Sequence, residues 1–353
     1  MNRRSLVSIA TAVTCMGISA FANAQVKWDL PSAYAPANFH TENLQVFAKD
    51  VDTATSGKLK ITVHPGASLF KAPEIKRAVQ GGQAQLGEIL LANYENEAPL
   101  FGLDGIPFLA TSYPNAKRLY ETQKPALEKY LAAQGMRLLY AVPWQPQGIY
   151  TKKPIDSVPD MRGTKWRAYS ASTSRMAELM GMQPVTVQAA ELSQAMATGV
   201  VESYISASAT GVDTKTYESM KFFYDTQAWL PKNAIIVNVR SFNALEKPVQ
   251  DAVLKASSDA EARGWKLSQE KDDAFKKTLA ERGMKVQPPS AKFQSDLKQV
   301  GGIMLADWQK KAGADGEALI AAYKAGQSSN AAIKKGVAAD GKSAATNNPV
   351  KKP

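Results

Sequence analysis

The stretch VPDMRGTKWRAYSASTSRMAELMGMQPVTVQAAELSQAMATGVVESY, residues 158–204, decides the fold of this chain. It begins with an arginine-bearing strand and continues with two helices, each ended by a glycine and followed by a strand. The predicted elements are strands over Lys165–Tyr169, Val185–Val187 and Val200–Ile205 and helices over Thr173–Met180 and Ala190–Thr198, with Gly181 and Gly199 as the stops. Strand–helix–strand units of this kind place their strands parallel, with the helices as crossovers. The stretch therefore predicts an α/β lobe.

A similar order of elements occurs earlier in the chain. Residues 58–91 read as a strand, a helix closed by Gly81 and Gly82, and a second strand. Further strands are predicted over 28–30, 136–142 and 233–239, and further helices over 38–56 and up to Gln134. The likeness between the two halves is one of architecture rather than of sequence, and it predicts a second α/β lobe.

One segment is too long for either lobe alone. Pro248 to about Gly283 is almost uninterrupted helix-forming sequence. A helix of ~35 residues spans ~50 Å, about the length of two small lobes. We therefore expect this helix to lie across both lobes, with two more helices after it, around 290–310 and 316–324.

The first 24 residues predict a secretory signal peptide. Arg3 and Arg4 precede an apolar run from about Leu6 to Phe21, and Ala22-Asn23-Ala24 has the form of a cleavage site. The only cysteine, Cys15, falls inside this segment. The expected mature protein is soluble and exported, and it has no disulfide, no cysteine metal site and no cysteine nucleophile.

The rest of the composition disfavours catalysis and nucleic-acid binding. The only histidines are His40 and His64, without metal-ligand spacing, and no nucleophile elbow, P-loop or dinucleotide fingerprint is present. We therefore expect no enzyme activity, no cofactor and no metal. Of the net charge of +11, +4 lies in the tail 326–353, which holds five lysines and one aspartate. Its composition predicts a disordered, solvated extension, and because no aromatic side chain is interleaved with the lysines we expect no nucleic-acid partner.

Five segments together resemble a known family: SGKLKITVHPGASL (56–69), EIKRAVQGGQAQLGE (74–88), GIPFL (105–109), DMRGTKWRAYSASTSRMAELMGMQPVTV (160–187) and ELSQAMATGVVES (191–203). In this order and spacing the chain is similar to the periplasmic solute-binding proteins of tripartite ATP-independent periplasmic (TRAP) transporters. The resemblance covers about residues 26–324. The arginine segment followed by the TGVV segment is its most specific part.

The resemblance implies a hinged, two-lobed α/β binding protein with one long helix spanning both lobes. We expect residues 25–144 and 233–272 to form lobe I, and residues 145–232 and 273–325 to form lobe II. The implied function is to bind one small organic acid in the periplasm and deliver it to the small and large membrane subunits of a permease. A freely diffusing receptor of this kind is expected to be a monomer. The sequence leaves open whether the receptor serves transport or presents its ligand to a sensor.

The resemblance also implies a carboxylate clamp. The ligand-contacting arginine of the family lies in the strand after the D-M-[KR]-G turn, which is Arg167 here. The polar position after the TGVV segment, often asparagine in relatives, is Ser206. A basic position of several relatives falls near Gln147. These two differences favour a ligand other than a dicarboxylate or a polyhydroxy acid.

The residues themselves support part of this site. Without the resemblance, Arg167 would be interpreted as a solvated strand arginine, but strand alternation puts Arg167 and Tyr169 on one face and Trp166 on the other, toward the core. The remaining candidates are aromatic or amide side chains, some with a structural alternative: Trp144 (or packing at a lobe edge), Tyr150, Tyr204, Asn93 (or a turn residue) and Tyr34. An aromatic lining around one guanidinium suits a bulky or aromatic monocarboxylate. A C4-dicarboxylate is the alternative ligand.

Overall fold

The computed structural model of this protein describes residues 25–343, with the side chains of residues 25–327. The predicted signal peptide lies outside the described residues. The strands are β1 (Val26–Pro31), β2 (Leu59–His64), β3 (Leu86–Leu90), β4 (Met136–Pro143), β5 (Gly148–Thr151), β6 (Lys165–Ala168), β7 (Gln183–Thr186), β8 (Ser203–Ser206), β9 (Phe222–Tyr224), β10 (Lys232–Asn238) and β11 (Lys285–Gln287). The helices are α1 (Phe39–Ala54), α2 (Ile75–Gln80), α3 (Tyr113–Ala133), α4 (Ala171–Leu179), α5 (Leu192–Ala197), α6 (Ser208–Asp213), α7 (Val239–Asn243), α8 (Lys247–Glu281) and α9 (Ala291–Ser343).

The first lobe contains two small sheets. Strands β1 and β2 pair in parallel and are joined by α1, whose N-cap is Asn38. Strand β10 lies between β3 and β4 and is antiparallel to both. The expected parallel pairing within residues 58–91 is wrong, because β2 and β3 belong to different sheets. The neighbour of β3 is a strand from much later in the chain, which a local pattern does not reveal.

The second lobe is built on one six-stranded sheet in the order β11-β9-β5-β8-β6-β7. Strand β6 is parallel to β7 on one side and to β8 on the other, with α4 and α5 as crossovers. This confirms the parallel arrangement predicted for residues 158–206. Trp166 is fully buried beside Met176 and Phe293, so its predicted place in the core is also confirmed.

Two extended connections join the lobes. One runs from β4 through residues 144–147 to β5, and the other from β9 through 225–231 to β10. They lie side by side, because Trp144 N donates to Pro231 O at 2.8 Å and Gln147 N donates to Trp229 O at 2.9 Å. Within residues 25–246, the two connections are the only covalent links between the sheets of the two lobes. They form the floor of the space between the lobes.

Helix α8 spans both lobes, as predicted. Its first half packs on α1 and β4, where Asn43 Nδ2 donates to Ala260 O at 2.9 Å. Gly264 permits this close approach, since a Cβ there would lie 2.4 Å from Val142 Cγ2. Its second half packs on α6 and β11, and Ser208 Oγ donates to Asp272 Oδ1 at 2.6 Å. The helix therefore ties the two lobes together along one side.

Helix α9 is interrupted at Gly313, which has φ 58°. Beyond Met304 it returns toward the chain segment 99–119: Trp308 Nε1 donates to Pro99 O at 2.7 Å and Tyr323 OH donates to Leu109 O at 3.0 Å. The lobe boundaries predicted from the sequence assign the donors, Trp308 and Tyr323, to lobe II and the acceptors, Pro99 and Leu109, to lobe I. The helix continues to Ser343, so residues 326–343 have helical backbone where the composition predicts disorder, in keeping with the helix propensity of alanine and lysine. Over the described part of the chain, no helix combines the length and the apolarity needed to cross a membrane.

Candidate functional site

A cavity of about 290 Å³ lies between the two lobes, above the connecting segments. It opens at the carboxyl ends of β6 and β8, the place where α/β sheets usually bind ligands. Both lobes and both connections contribute to its wall, which is lined by Ala33, Tyr34, Ala35, Pro36, Gly66, Ala72, Leu90, Asn93, Trp144, Gln147, Arg167, Tyr169, Gln188, Ala189, Ala190, Ser193, Ser206, Thr210, Asp213, Thr214 and Pro231.

Arg167 is the only basic residue in this wall. Its position in β6, between two parallel neighbours, leaves it 4% exposed. Among the described residues, the Arg167 guanidinium forms one hydrogen bond, from Nε to Val187 O at 2.9 Å. No described carboxylate forms an ion pair with Arg167. Burial lowers the pKa of Arg167, but an arginine stays protonated in proteins. The terminal N–H groups of a buried cation are therefore left for a group that enters the cavity.

Tyr169 holds the guanidinium from one side. The Arg167 Cζ atom lies 5.0 Å from the centre of the Tyr169 ring, a distance typical of a cation–π contact. Tyr169 OH donates to Gln147 Oε1 at 3.2 Å, and Gln147 Nε2 donates to Gln145 O at 3.1 Å. These contacts fix both side chains, and burial raises the pKa of Tyr169, so its hydroxyl stays protonated.

The lobes also contact each other directly at two places. In one contact Asn38 Nδ2, at the start of α1, donates to Asp213 Oδ2 on α6 at 2.6 Å. In the other, Ser172 Oγ, at the start of α4, donates to Glu95 Oε2. Burial raises the pKa of both carboxyl groups. The structure therefore shows the lobes closed on the cavity, with the one acidic residue of the lining, Asp213, already engaged.

The wall from the first lobe rests on a buried polar network. Trp144 Nε1 donates to Asn233 Oδ1 at 2.9 Å, and Tyr34 OH donates to the same oxygen at 3.3 Å. Asn233 Nδ2 donates in turn to Glu88 Oε1 at 2.9 Å. The rings of Tyr34 and Trp144 meet edge to face, with centroids 4.9 Å apart. Two aromatic walls of the cavity are therefore held by one amide, which lies just behind them.

Glu88 completes this network. It accepts from Ser32 Oγ at 2.5 Å, and His40 Nδ1 lies 3.6 Å from its other oxygen. Burial raises the pKa of Glu88 to about 7 and lowers that of His40 well below its usual value. The carboxyl group serves the fold of the first lobe, since its contacts are to residues of this lobe and it does not line the cavity.

Asn93 differs from the other polar residues of the wall. It follows β3, and its Oδ1 atom is buried with no hydrogen-bond partner among the described side chains and backbone. Ser206, by contrast, donates from Oγ to Thr210 Oγ1 at 2.9 Å. An unpaired buried amide oxygen at a cavity wall is a candidate acceptor for a donor on the ligand.

The structure places seven of the nine predicted site residues around this cavity: Arg167, Tyr169, Ser206, Gln147, Trp144, Asn93 and Tyr34. Tyr150 and Tyr204 are the exceptions, and their expected position in the lining is corrected. They face each other across β5 and β8, with rings stacked 4.5 Å apart, and both are fully buried. Helix α6 covers them, and Tyr150 OH donates to Ala207 O at 2.9 Å. The alternation of a strand gives the face of a side chain but not its depth below the cavity.

Sequence reasoning missed part of the lining and its support. Gln188, Ser193 and Asp213 line the cavity from short segments that carry no distinctive pattern. Asn233 and Lys232 had a signal, because each is a polar residue at the start of an otherwise apolar strand and needs a buried partner. Within residues 25–327 there is no group of three or more His, Cys, Asp or Glu side chains placed to hold a metal ion.

A family comparison agrees with this geometry. The sequence profile of the family described as "Bacterial extracellular solute-binding protein, family 7" (DctP) matches residues 32–311. The match includes both connections, all of α8 and the first part of α9, up to residue 311. It covers more than half of the chain, which is sufficient to establish family membership.

Solved structures give the same result. The crystal structure of DctP6, a Bordetella pertussis extracytoplasmic solute receptor binding pyroglutamic acid, is 61% identical, with a TM-score of 0.84 over 85% of this chain and 99% of that chain. A marine metagenome TRAP solute-binding protein specific for pyroglutamate is 45% identical, with a TM-score of 0.84 and the same coverage. A TRAP periplasmic solute-binding protein from Shewanella oneidensis with bound succinate is 17% identical, with a TM-score of 0.80 over 85% of this chain and 100% of that chain. The last likeness concerns the fold alone.

Proposed function

The chain belongs to the DctP family of extracellular solute-binding proteins and has the fold of TRAP solute receptors, and we propose that its ligand is pyroglutamate. In this proposal the ligand carboxylate binds Arg167 and the lactam ring lies among the aromatic walls of the cavity. The protein is a binding receptor rather than an enzyme, and it works with the membrane subunits of a permease.

The buried, unpaired guanidinium of Arg167 carries this proposal. A buried charge is expensive unless an opposite charge accompanies it. Among the described residues this cation has no anionic partner, and its free N–H groups border the cavity. The planar guanidinium fork matches a carboxylate through two parallel hydrogen bonds. An anionic ligand therefore supplies the missing partner.

The rest of the lining favours a monocarboxylate. A dicarboxylate would bring a second anionic group, but Arg167 is the only basic residue of the lining and Asp213 would repel that group. The lactam ring of pyroglutamate is compact and carries one N–H donor and one carbonyl acceptor. Amide and hydroxyl groups at Asn93, Gln188 and Ser206 are available for such polar atoms. Two relatives that share 45% and 61% of their residues with this chain bind this ligand.

The proposed mechanism is closure of a hinged clamp. The two connecting segments flex, and the lobes close when ligand contacts favour the closed form over the open one. The contacts Asn38–Asp213 and Ser172–Glu95 join the lobes in this closed form. The predicted signal peptide would place the receptor in the periplasm, where the closed, loaded form meets the permease.

A ligand panel measured by calorimetry and thermal shift tests the proposal. The purified protein is unfolded in denaturant, dialysed and refolded to remove any bound solute, then titrated with pyroglutamate, succinate and phenylpyruvate. We expect pyroglutamate to bind most tightly and to raise the melting temperature most, since a ligand that binds only the folded state stabilises it. A larger shift with succinate would favour a C4-dicarboxylate, and a larger shift with phenylpyruvate an aromatic acid; either result would reject pyroglutamate.

A further inference from the structure

The orientation of the Asn233 amide is determined by its neighbours. An indole N–H donates hydrogen bonds and never accepts them, so the Asn233 atom 2.9 Å from Trp144 Nε1 must be the oxygen. The other end of the amide faces Glu88 Oε1 at 2.9 Å, and a carboxylate oxygen there requires the amide nitrogen. Both neighbours give the same assignment. The indole alone suffices for it, whatever the charge on Glu88.

This orientation determines the role of the Tyr34 hydroxyl. Its oxygen lies 3.3 Å from Asn233 Oδ1, an atom that only accepts, so the hydroxyl proton of Tyr34 points at Asn233. The phenolic oxygen then has only lone pairs left for other partners. Tyr34 is partly buried and lines the cavity. In this orientation the Tyr34 hydroxyl can serve a group in the cavity as an acceptor and not as a donor.

We propose that the Tyr34 hydroxyl accepts the ring N–H of the bound lactam, and that the chain Trp144–Asn233–Glu88 holds it in this acceptor state. Arg167 and Tyr34 then bind the two ends of one short ligand segment, since the ring nitrogen of pyroglutamate is bonded to the carbon that carries the carboxylate. This assignment rests on the proposed function and adds the group that recognises the lactam.

The assignment makes the site selective for an N–H group. A ring that has a CH₂ in place of the N–H would leave a buried acceptor without a partner, and sites built to bind a polar hydrogen reject analogues that lack it. The matching analogue is 3-oxocyclopentane-1-carboxylate, in which CH₂ replaces the ring N–H and the carbonyl and carboxylate keep their places.

A second acceptor competes for the same role. Asn93 Oδ1 also lies at the cavity wall and has no partner among the residues described. The two candidates differ in their support. The acceptor at Asn93 depends on the choice of its own amide orientation. The acceptor role of Tyr34 follows from the amide orientation of Asn233, which the donor-only indole of Trp144 determines. Variants at the two positions separate them.

The test compares pyroglutamate with 3-oxocyclopentane-1-carboxylate by calorimetry in the wild-type protein and in Tyr34→Phe, Asn93→Ala and Tyr140→Phe. Tyr140 is the matched control, since its buried hydroxyl has no partner among the described residues and it does not line the cavity. We expect the wild type and Tyr140→Phe to bind pyroglutamate at least ~10-fold more tightly than the analogue. Tyr34→Phe should lose about this factor for pyroglutamate and keep its affinity for the analogue.

Three outcomes overturn the assignment. Equal binding of the two ligands by the wild type would show that no group recognises the ring N–H. Undiminished preference in Tyr34→Phe would show that Tyr34 is not the acceptor, and loss of the preference in Asn93→Ala alone would assign the role to Asn93. Each of these outcomes is compatible with pyroglutamate as the ligand, whereas absence of pyroglutamate binding in the wild type would refute the proposed function itself.

Discussion

Two of the buried cations among the described residues, Lys232 and Arg167, have opposite surroundings. Lys232, at the start of β10, is 0% exposed, and its Nζ lies 3.1 Å from Asp104 Oδ2. Asp104 Oδ2 also accepts from Lys232 N at 2.9 Å. Arg167, at the cavity, is 4% exposed and has no carboxylate partner among the described residues. One cation has its anion within the protein, while the other lacks one.

The difference separates a structural charge from a binding charge. A buried ion pair is self-contained, and removal of one partner leaves the other charge desolvated. An unpaired buried cation lowers the stability of the ligand-free protein. It can, however, bind an anionic ligand, which then becomes its partner. We infer that Lys232 serves folding and Arg167 serves binding, and the predictions below probe this contrast.

The largest expected effect is on ligand affinity in Arg167→Ala. Loss of the guanidinium leaves the ligand carboxylate buried without a partner, which should cost ~3–5 kcal/mol, two orders of magnitude or more in affinity. Arg167→Lys should recover only part of this loss, because an ammonium group keeps the charge but lacks the planar fork. Calorimetry with pyroglutamate measures both variants.

Arg137→Ala is the control for this experiment, since Arg137 is an exposed arginine on β4, outside the cavity. It should bind like the wild type. Ligand-free Arg167→Ala should unfold at or above the wild-type temperature, because the variant no longer buries an unpaired charge. Near-normal affinity in Arg167→Ala would refute the clamp, and a large fall in its ligand-free stability would erase the contrast with Lys232.

The next effect is on folding in Lys232→Met. The substitution leaves Asp104 buried without its cation, which should lower the free energy of unfolding by about 3 kcal/mol at neutral pH. Burial already raises the pKa of Asp104 and Lys232 opposes that rise, so the deficit should shrink in acid as the carboxyl group becomes protonated. Denaturant unfolding of the ligand-free protein at neutral and acidic pH measures it.

The double variant Lys232→Met/Asp104→Asn removes both charges and keeps an oxygen that can accept the backbone N–H. It should recover most of the lost stability, because a neutral pair carries no desolvated charge. If Lys232→Met were as stable as the wild type, the paired cation would not contribute to folding and the comparison with Arg167 would fail.

The smallest effect is the pH dependence of stability that arises from Glu88. Its pKa rises from the unfolded value 4.5 to about 7 in the folded state, because burial disfavours the charged form. A raised carboxyl pKa means that the folded state binds the proton more tightly. The stabilising contribution is therefore full below about pH 4.5 and is lost as pH rises through about 7. Between pH 5 and pH 8 the loss is on the order of 2 kcal/mol.

Glu88→Gln should remove this loss, so its stability relative to the wild type should increase from pH 5 to pH 8. His40 acts in the opposite direction, since burial lowers its pKa and this costs stability as pH falls; its burial is common to both proteins. Denaturant unfolding of the two proteins across this range measures the difference. Parallel curves would show that the Glu88 carboxyl group titrates alike in the folded and unfolded states.

Much of the fold could be predicted from the sequence, because local signals suffice for elements such as β6, α4, α5 and α8. Glycine stops and apolar periodicity gave these elements and the parallel order of the second lobe. Strands β5, β9 and β11 were not predicted, because their pairing partners are distant in sequence. The position of β10 between β3 and β4, antiparallel to both, was not predicted for the same reason: its partners lie far away in the sequence.

The candidate site shows the same division. The resemblance implied Arg167, and strand alternation put Tyr169 on the same face. Alternation could not tell that Tyr204 lies deeper than the cavity, since depth depends on α6, which covers it. The network behind Tyr34 was also out of reach, because Glu88 and Asn233 are distant in the chain and pair only across β3 and β10.

The sequence by itself determined the α/β class, the long helix and the position of Arg167 in a strand of the second lobe, because these depend on residues close together in the chain. Only the tertiary structure decided which buried charge has a partner, which aromatic rings reach the cavity and which group accepts the hydroxyl proton of Tyr34. Those properties depend on distances and hydrogen-bond directions between residues far apart in the chain, and such distances are set when the lobes pack and close.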